Sequence, residues 1–174
     1  MPNGVTIVAG LPIPSTSPWF LAGVAAHVGF GLTCVVAGAT AMLSRKAAGR
    51  HPLAGTLYFW ALAGVFVTAV ALAISRWPED RTLFDLAGLA FALAVFGREA
   101  RRRLWRGWPR WHMTGMGLSY IVLITAFYVD NGPNLPLWRD LPHIAYWLAP
   151  SLFGLPILVW ALLRHPLVRG RNQA

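Results

Sequence analysis

Five long apolar runs, separated by short polar segments, limit what this chain can fold into more than any other feature of its sequence. The runs cover residues 18–43, 53–75, 82–98, 110–130 and 143–163. A helix rises about 1.5 Å per residue, so about 20 residues cross the apolar layer of a bilayer, which is about 30 Å thick. The runs therefore predict an all-α integral membrane bundle of five transmembrane helices.

The third run is the weakest of the five. It lies near the lower length limit for a membrane-spanning helix, and it contains Asp85. A tilted or partly re-entrant segment is the alternative for this run.

The overall composition is that of a membrane protein, with 56 % hydrophobic and 12 % charged residues among 174. The single cysteine, Cys34, excludes an internal disulfide framework and a zinc cluster built from cysteines. No polar segment is long enough for a soluble domain, so we expect one transmembrane domain over residues 1–174. Residues 1–17 are rich in Pro, Gly and Ser, which predicts an irregular N-terminal segment before an uncleaved first anchor.

The uneven distribution of basic residues predicts an orientation. With five spans and the N-terminus outside, twelve basic residues fall in inner segments: Arg45, Lys46, Arg50, Arg98, Arg101, Arg102, Arg103, Arg106, Arg110, Arg164, Arg169 and Arg171. Three fall in outer segments: Arg76, Arg81 and Arg139. Because inner segments of membrane proteins are enriched in Lys and Arg, we expect the C-terminus inside. The same rule explains the net charge of +9 without a nucleic-acid partner.

The segment between the third and fourth runs carries most of this charge. Residues 98–110 read REARRRLWRGWPR, with six arginines beside Leu104, Trp105 and Trp108. Basic residues mixed with tryptophan favour the membrane–water interface. We therefore expect this segment to lie on the inner membrane surface and to attract anionic lipid headgroups.

Small and polar residues form stripes on two of the runs. On the fourth run, His112, Gly115, Ser119 and Asp130 fall on one stripe at about 100° per residue. A lipid-spanning helix turns such a stripe towards other helices or a cavity. On the first run, Gly23, His27, Gly31, Cys34 and Gly38 share a face. That face either packs closely on another helix or admits a flat cofactor beside His27.

Two prolines interrupt the last run, at Pro150 and Pro156. Each removes a backbone donor, so the pattern predicts a kinked helix with freed carbonyls.

Histidines offer the strongest candidates for chemistry. Counting along the runs places His27 and His143 near the outer surface, and His51 and His112 near the inner surface, while His165 follows the last run and is expected in solvent. Two histidines at equal depth can hold a haem iron axially. The same pairs can bind copper or zinc, or titrate in a proton path. Hydrogen bonding to water, headgroups or a neighbouring helix is the structural alternative.

A proton path through the fourth run needs further polar groups. Ser119 and Asp130 supply two of them, and Tyr58 on the second run shares a face with His51. Ser119 and Asp130 are separated by about 16 Å of helix rise, which water or another helix would have to fill. The sequence contains no GxSxG, P-loop, HExxH or CxxCH motif, so it predicts no particular enzyme activity.

The sequence resembles a family of bacterial membrane proteins of unknown function over residues 20–165. The likeness rests on RKAAGRHPLAGTLYFW (45–60), on the histidine-led run from His112 with SYIVLITAF, and on the histidine-led last run. It implies a multi-pass helical protein of the bacterial inner membrane and supplies no activity. A weaker likeness is to di-haem transmembrane cytochromes of the b561 type, but here the pairs would join runs one with five and two with four. We therefore expect a transporter-like or accessory membrane component, with a haem b electron-transfer protein as the alternative.

Overall fold

A computed structural model describes residues 4, 6–8, 11–13, 17–45 and 49–169, and it confirms the all-α class. Its helices are α1 Pro18–Leu43, α2 Arg50–Ser75, α3 Arg81–Arg102, α4 Trp108–Asn131, α5 His143–Arg164 and the short α6 Pro166–Arg169. Each predicted run lies in one of the first five helices. A 3-10 turn, Gly132–Asn134, follows α4, where the sequence DNGP predicts a helix stop.

Four of the helices, α1, α2, α4 and α5, are each long and apolar enough to cross a membrane. Helix α3 differs because Asp85 and Arg98 bracket its uncharged part, residues 86–97. That part provides about 18 Å of helix rise, against an apolar layer of about 30 Å. The fifth crossing by α3, and the orientation that depends on it, therefore remain predictions.

The described residues near the N-terminus form a short antiparallel pair of strands, β1 Thr6–Val8 and β2 Leu11–Ile13. The prediction of an irregular segment is wrong for these strands. β-Branched residues such as Ile7 favour extended backbone. Pro12 is tolerated because both strands of a two-stranded pair are edge strands. Most other positions of residues 1–17 lie outside the described residues, as do Lys46 and Arg171.

The chain forms two compact units, residues 1–84 and residues 85–174. In the first unit, α1 and α2 form an antiparallel helical hairpin. Phe30 of α1 packs on Gly64 of α2, where an added Cβ atom would lie 2.8 Å from the ring. Helix α2 begins before Pro52, which is tolerated because the first backbone donors of a helix have no partner inside it.

In the second unit, α4 packs on α3 and on α5. The buried residues of α3 are all small: Ala87, Ala90, Ala94, Gly97 and Ala100. They let the backbone of α3 approach α4 at Gly97 and Gly115. Helix α5 packs on α4 through Gly154, which receives the side chain of Ile121. It continues as a helix through Pro150 and Pro156.

The turn between α3 and α4 is tight. Leu104 adopts the left-handed conformation, with φ of +48°, and the amide of Trp105 donates to the carbonyl of Ala100 at 3.2 Å. This hydrogen bond is the one that closes a helix C-terminus when the residue before it is left-handed. Gly107, with φ of +76°, then starts α4.

Candidate functional site

His27 connects α1 to α2 through its ring. Its Nδ1 lies 2.9 Å from the hydroxyl oxygen of Thr68. The Thr68 hydroxyl oxygen also lies 2.8 Å from the carbonyl oxygen of Gly64. The direction of the hydrogen bond between His27 and Thr68 depends on the ring tautomer: a protonated Nδ1 donates to the hydroxyl oxygen, and an unprotonated Nδ1 accepts from the hydroxyl.

His51 makes the reciprocal connection, from α2 to α1. Its Nδ1 lies 2.8 Å from the carbonyl oxygen of Ala41, and a carbonyl only accepts, so Nδ1–H of His51 is the donor. Between the two histidines, the buried Cys34 thiol lies 3.8 Å from the carbonyl of Tyr58. Polar contacts therefore join α1 to α2 at three successive levels of the hairpin.

His112 has the same role in the second unit. Its Nδ1 lies 3.0 Å from the carbonyl oxygen of Gly97, at the point where α3 and α4 come closest. The ring also lies beside Trp108, with 6.5 Å between the ring centres. His112 thus donates from α4 to the backbone of α3.

The other two histidines are placed differently. His143 is the exposed first residue of α5, with its ring edge-on to Tyr146 at 5.6 Å between centres. The Tyr146 hydroxyl donates to the carbonyl of Trp138 at 3.0 Å, which fixes the connection before α5. His165 is half-buried, and its Nδ1 accepts from the amide of Leu167 at 3.3 Å, so it is a capping residue at the start of α6.

Each of the two predicted histidine pairs takes one member from residues 1–84 and one from residues 85–174. The pairing of His27 with His143, and of His51 with His112, therefore remains a prediction. Across the described ranges, no three or more His, Cys, Asp or Glu side chains are grouped so that they could hold a metal ion. A zinc site uses at least three such ligands, whereas axial ligation of haem uses two.

The predicted polar stripe of α4 is only partly buried. Gly115 and Ser119 are buried and His112 is half-buried, but Asp130 is exposed. The Ser119 hydroxyl donates to the carbonyl of Met116 in its own helix, at 2.8 Å. The Asp130 carboxylate accepts from the side-chain amide of Asn131 at 3.2 Å. The end of the stripe near His112 and Ser119 is thus an interior surface, while the end at Asp130 faces outward.

Part of the small-residue face of α1 packs against α2, whereas an added Cβ at Gly31 would meet nothing within 4 Å. Cys34 and Gly38 are buried, and an added Cβ at Gly23 would meet Leu72 of α2 at 3.3 Å. This arrangement is the packing alternative that the sequence left open. Tyr58 is also buried, on α2. Sequence reasoning missed Thr68 because an isolated threonine in an apolar run carries no signal of its partner.

No protein-family model, curated protein or solved structure matches this chain. The function therefore rests on the chemistry of the described residues. Three histidines each form a hydrogen bond to a neighbouring helix through one ring nitrogen.

Proposed function

We propose that this chain is a non-catalytic, multi-pass component of the bacterial inner membrane, and that it acts as an accessory subunit of a larger membrane assembly. The observation that carries the proposal is the use of its histidines. His27, His51 and His112 each form a hydrogen bond through Nδ1 to an adjacent helix of the same unit. The most conspicuous polar groups of the chain are thereby used to stabilise helix pairs.

The outer surface of α1 supports association with another chain. In α1, as in α5, only 11 % of the apolar window is buried, against 39 % for α2. Gly29 is exposed, and an added Cβ there would meet nothing within 4 Å. Small residues on an outward helix face allow the close backbone contact by which helices associate in lipid. A transporter-like role is the other non-enzymatic role that the sequence predicts.

The test is photo-crosslinking in native cells, followed by purification in a mild detergent. A crosslinking residue at Val36, which is 67 % exposed on α1, is compared with one at Phe59, which is 7 % exposed on α2. We expect Val36 to capture one distinct membrane polypeptide that also co-purifies at constant ratio, and Phe59 to capture none. A homogeneous monomer that crosslinks to nothing from Val36 would contradict an accessory role.

A haem b electron-transfer protein is the second candidate, and the tautomer of the histidines favours it. Histidines that ligate a metal usually donate their other ring N–H to a carbonyl or similar acceptor. Donation through Nδ1 to a carbonyl leaves Nε2 as the ligating atom of His51 and His112. The haem would be held by the pair His27 and His143, by the pair His51 and His112, or by both, and it would supply one-electron chemistry.

Absorption spectroscopy separates this candidate from the first. Protein purified from haem-replete cells should show a Soret band and a reducible α-band. Loss of the bands in both single alanine variants of one pair, with His165→Ala unchanged, would identify the ligands. Colourless protein from such cells would rule out the haem hypothesis.

A further inference from the structure

The six arginines of residues 98–110 are divided among different partners. Arg102 and Arg103 bind the carboxylate of Glu99, at 2.9 and 2.8 Å. Hydrogen bonds from Arg103 and then from Arg102 hold the pKa of this half-buried carboxyl below its usual range. Arg101 lies over the ring of Trp108, 4.5 Å from its centre. Three arginines of the first part of the segment thus have partners within it, and Glu99 offsets one of its positive charges.

Arg106 and Arg110, by contrast, line a pocket of about 270 Å³ where α4 begins. Its walls are completed by Gly107, Pro109, Trp111, Leu167 and Val168. A guanidinium nitrogen of Arg110 donates to the carbonyl of Val168 at 3.4 Å, which joins the C-terminal segment to this site. The indole N–H of Trp111 donates to the carbonyl of Arg106 at 3.3 Å. The pocket is thus built from two arginines, one tryptophan and an apolar wall.

The chemistry of this pocket suits a phosphate group attached to an apolar body. Guanidinium groups bind phosphate oxygens through paired, charge-assisted hydrogen bonds. The first turn of a helix adds a favourable dipole for an anion. Leu167 and Trp111 provide apolar contact beside the charge. Because α4 is a candidate membrane span that starts at Trp108, the pocket would lie at the level of the lipid headgroups.

We propose that Arg106 and Arg110 bind the phosphate of an anionic phospholipid at a single site flanked by residues 167 and 168. The sequence predicts that the whole segment attracts anionic headgroups. The proposal is more specific, because it assigns binding to two of the six arginines. The lipid-binding proposal goes beyond the accessory role. It does not depend on that role, because lipid binding is a property of the isolated chain.

The experiment titrates purified protein in neutral detergent with phosphatidylglycerol and follows the bound lipid by native mass spectrometry. Arg106→Gln/Arg110→Gln is compared with Arg102→Gln/Arg103→Gln, which removes the same charge from the same segment. We expect the first variant to raise the apparent Kd about tenfold or more, as the loss of charged hydrogen bonds implies. The second variant should stay within about twofold of the parent chain.

Equal weakening in both double variants would mean diffuse attraction and would overturn the proposal. Arg106→Gln alone should also weaken binding, and it leaves the bond from Arg110 to Val168 intact. Inorganic phosphate is the second probe. If it binds at the same arginines while phosphatidylglycerol does not, the site takes a free anion and the lipid proposal is wrong.

Discussion

Gly115 of α4 packs directly on Gly97 of α3, so a Cβ atom added to Gly115 would lie 2.7 Å from both the Cα and the backbone nitrogen of Gly97. Backbone atoms cannot rotate away as a side chain does. Gly115→Ala should therefore separate the helices and lower the free energy of unfolding by about 1–3 kcal/mol. Gly31→Ala is the control, because an added Cβ there meets nothing within 4 Å. Unfolding in detergent measures both, and equal effects would argue against the close contact.

The hydrogen bond between His27 and Thr68 can be tested by a double-mutant cycle. His27→Leu and Thr68→Val each remove the polar group and keep most of the volume. We expect a coupling free energy of about 0.6 kcal/mol, a typical value for a hydrogen bond between membrane helices. A coupling near zero in unfolding measurements would show that this contact does not stabilise the hairpin of α1 and α2.

The contact between Gly154 and Ile121 predicts that a smaller residue at position 121 of α4 compensates for a larger residue at position 154 of α5. An added Cβ at Gly154 would lie 2.6 Å from Cγ1 and 2.8 Å from Cδ1 of Ile121. Gly154→Ala should be destabilising by about 1–3 kcal/mol. Ile121→Ala removes both clashing atoms, so the double variant should recover part of this loss. Strictly additive effects in thermal unfolding would mean that the two residues do not share this space.

The uncharged part of α3 is short for a membrane-spanning helix, so the predicted crossing of the membrane by α3 needs its own test. Reporter fusions at residues 79 and 105 should lie on opposite sides of the membrane, because the Arg98–Arg110 segment then joins the other basic segments inside. A fusion at residue 135 should report the same side as residue 79. If residues 79 and 105 report the same side, α3 is re-entrant or lies at the surface, and the chain has four crossings.

The left-handed backbone of Leu104 predicts a stabilising substitution. Glycine adopts this conformation without the steric cost that a Cβ imposes, which is about 1 kcal/mol or more. Leu104→Gly should raise the free energy of unfolding, whereas Leu104→Ala, which keeps the Cβ, should not. A lower stability for the glycine variant would show that contacts of the Leu104 side chain stabilise the fold by more than its left-handed backbone conformation costs.

The positions of the five long helices could be predicted from the sequence because the signal is local. An apolar run must satisfy its own backbone in lipid, and a helix does so within a single segment. The end of α4 was predictable for the same reason, because Gly132 and Pro133 disfavour continuation of the α-helix at their own positions. The strands of residues 6–8 and 11–13 were missed because composition over such short segments does not distinguish extended pairing from an irregular chain.

The sequence by itself determined which residues form helices and where charge collects between them. Only the tertiary structure decided what the histidines contact. Two of the three partners are the backbone carbonyls of Ala41 and Gly97, and a carbonyl is present at every residue. Nothing in the identity of a residue marks its carbonyl as a partner. The packing of two helices selects it, by bringing one particular turn within reach of one ring nitrogen.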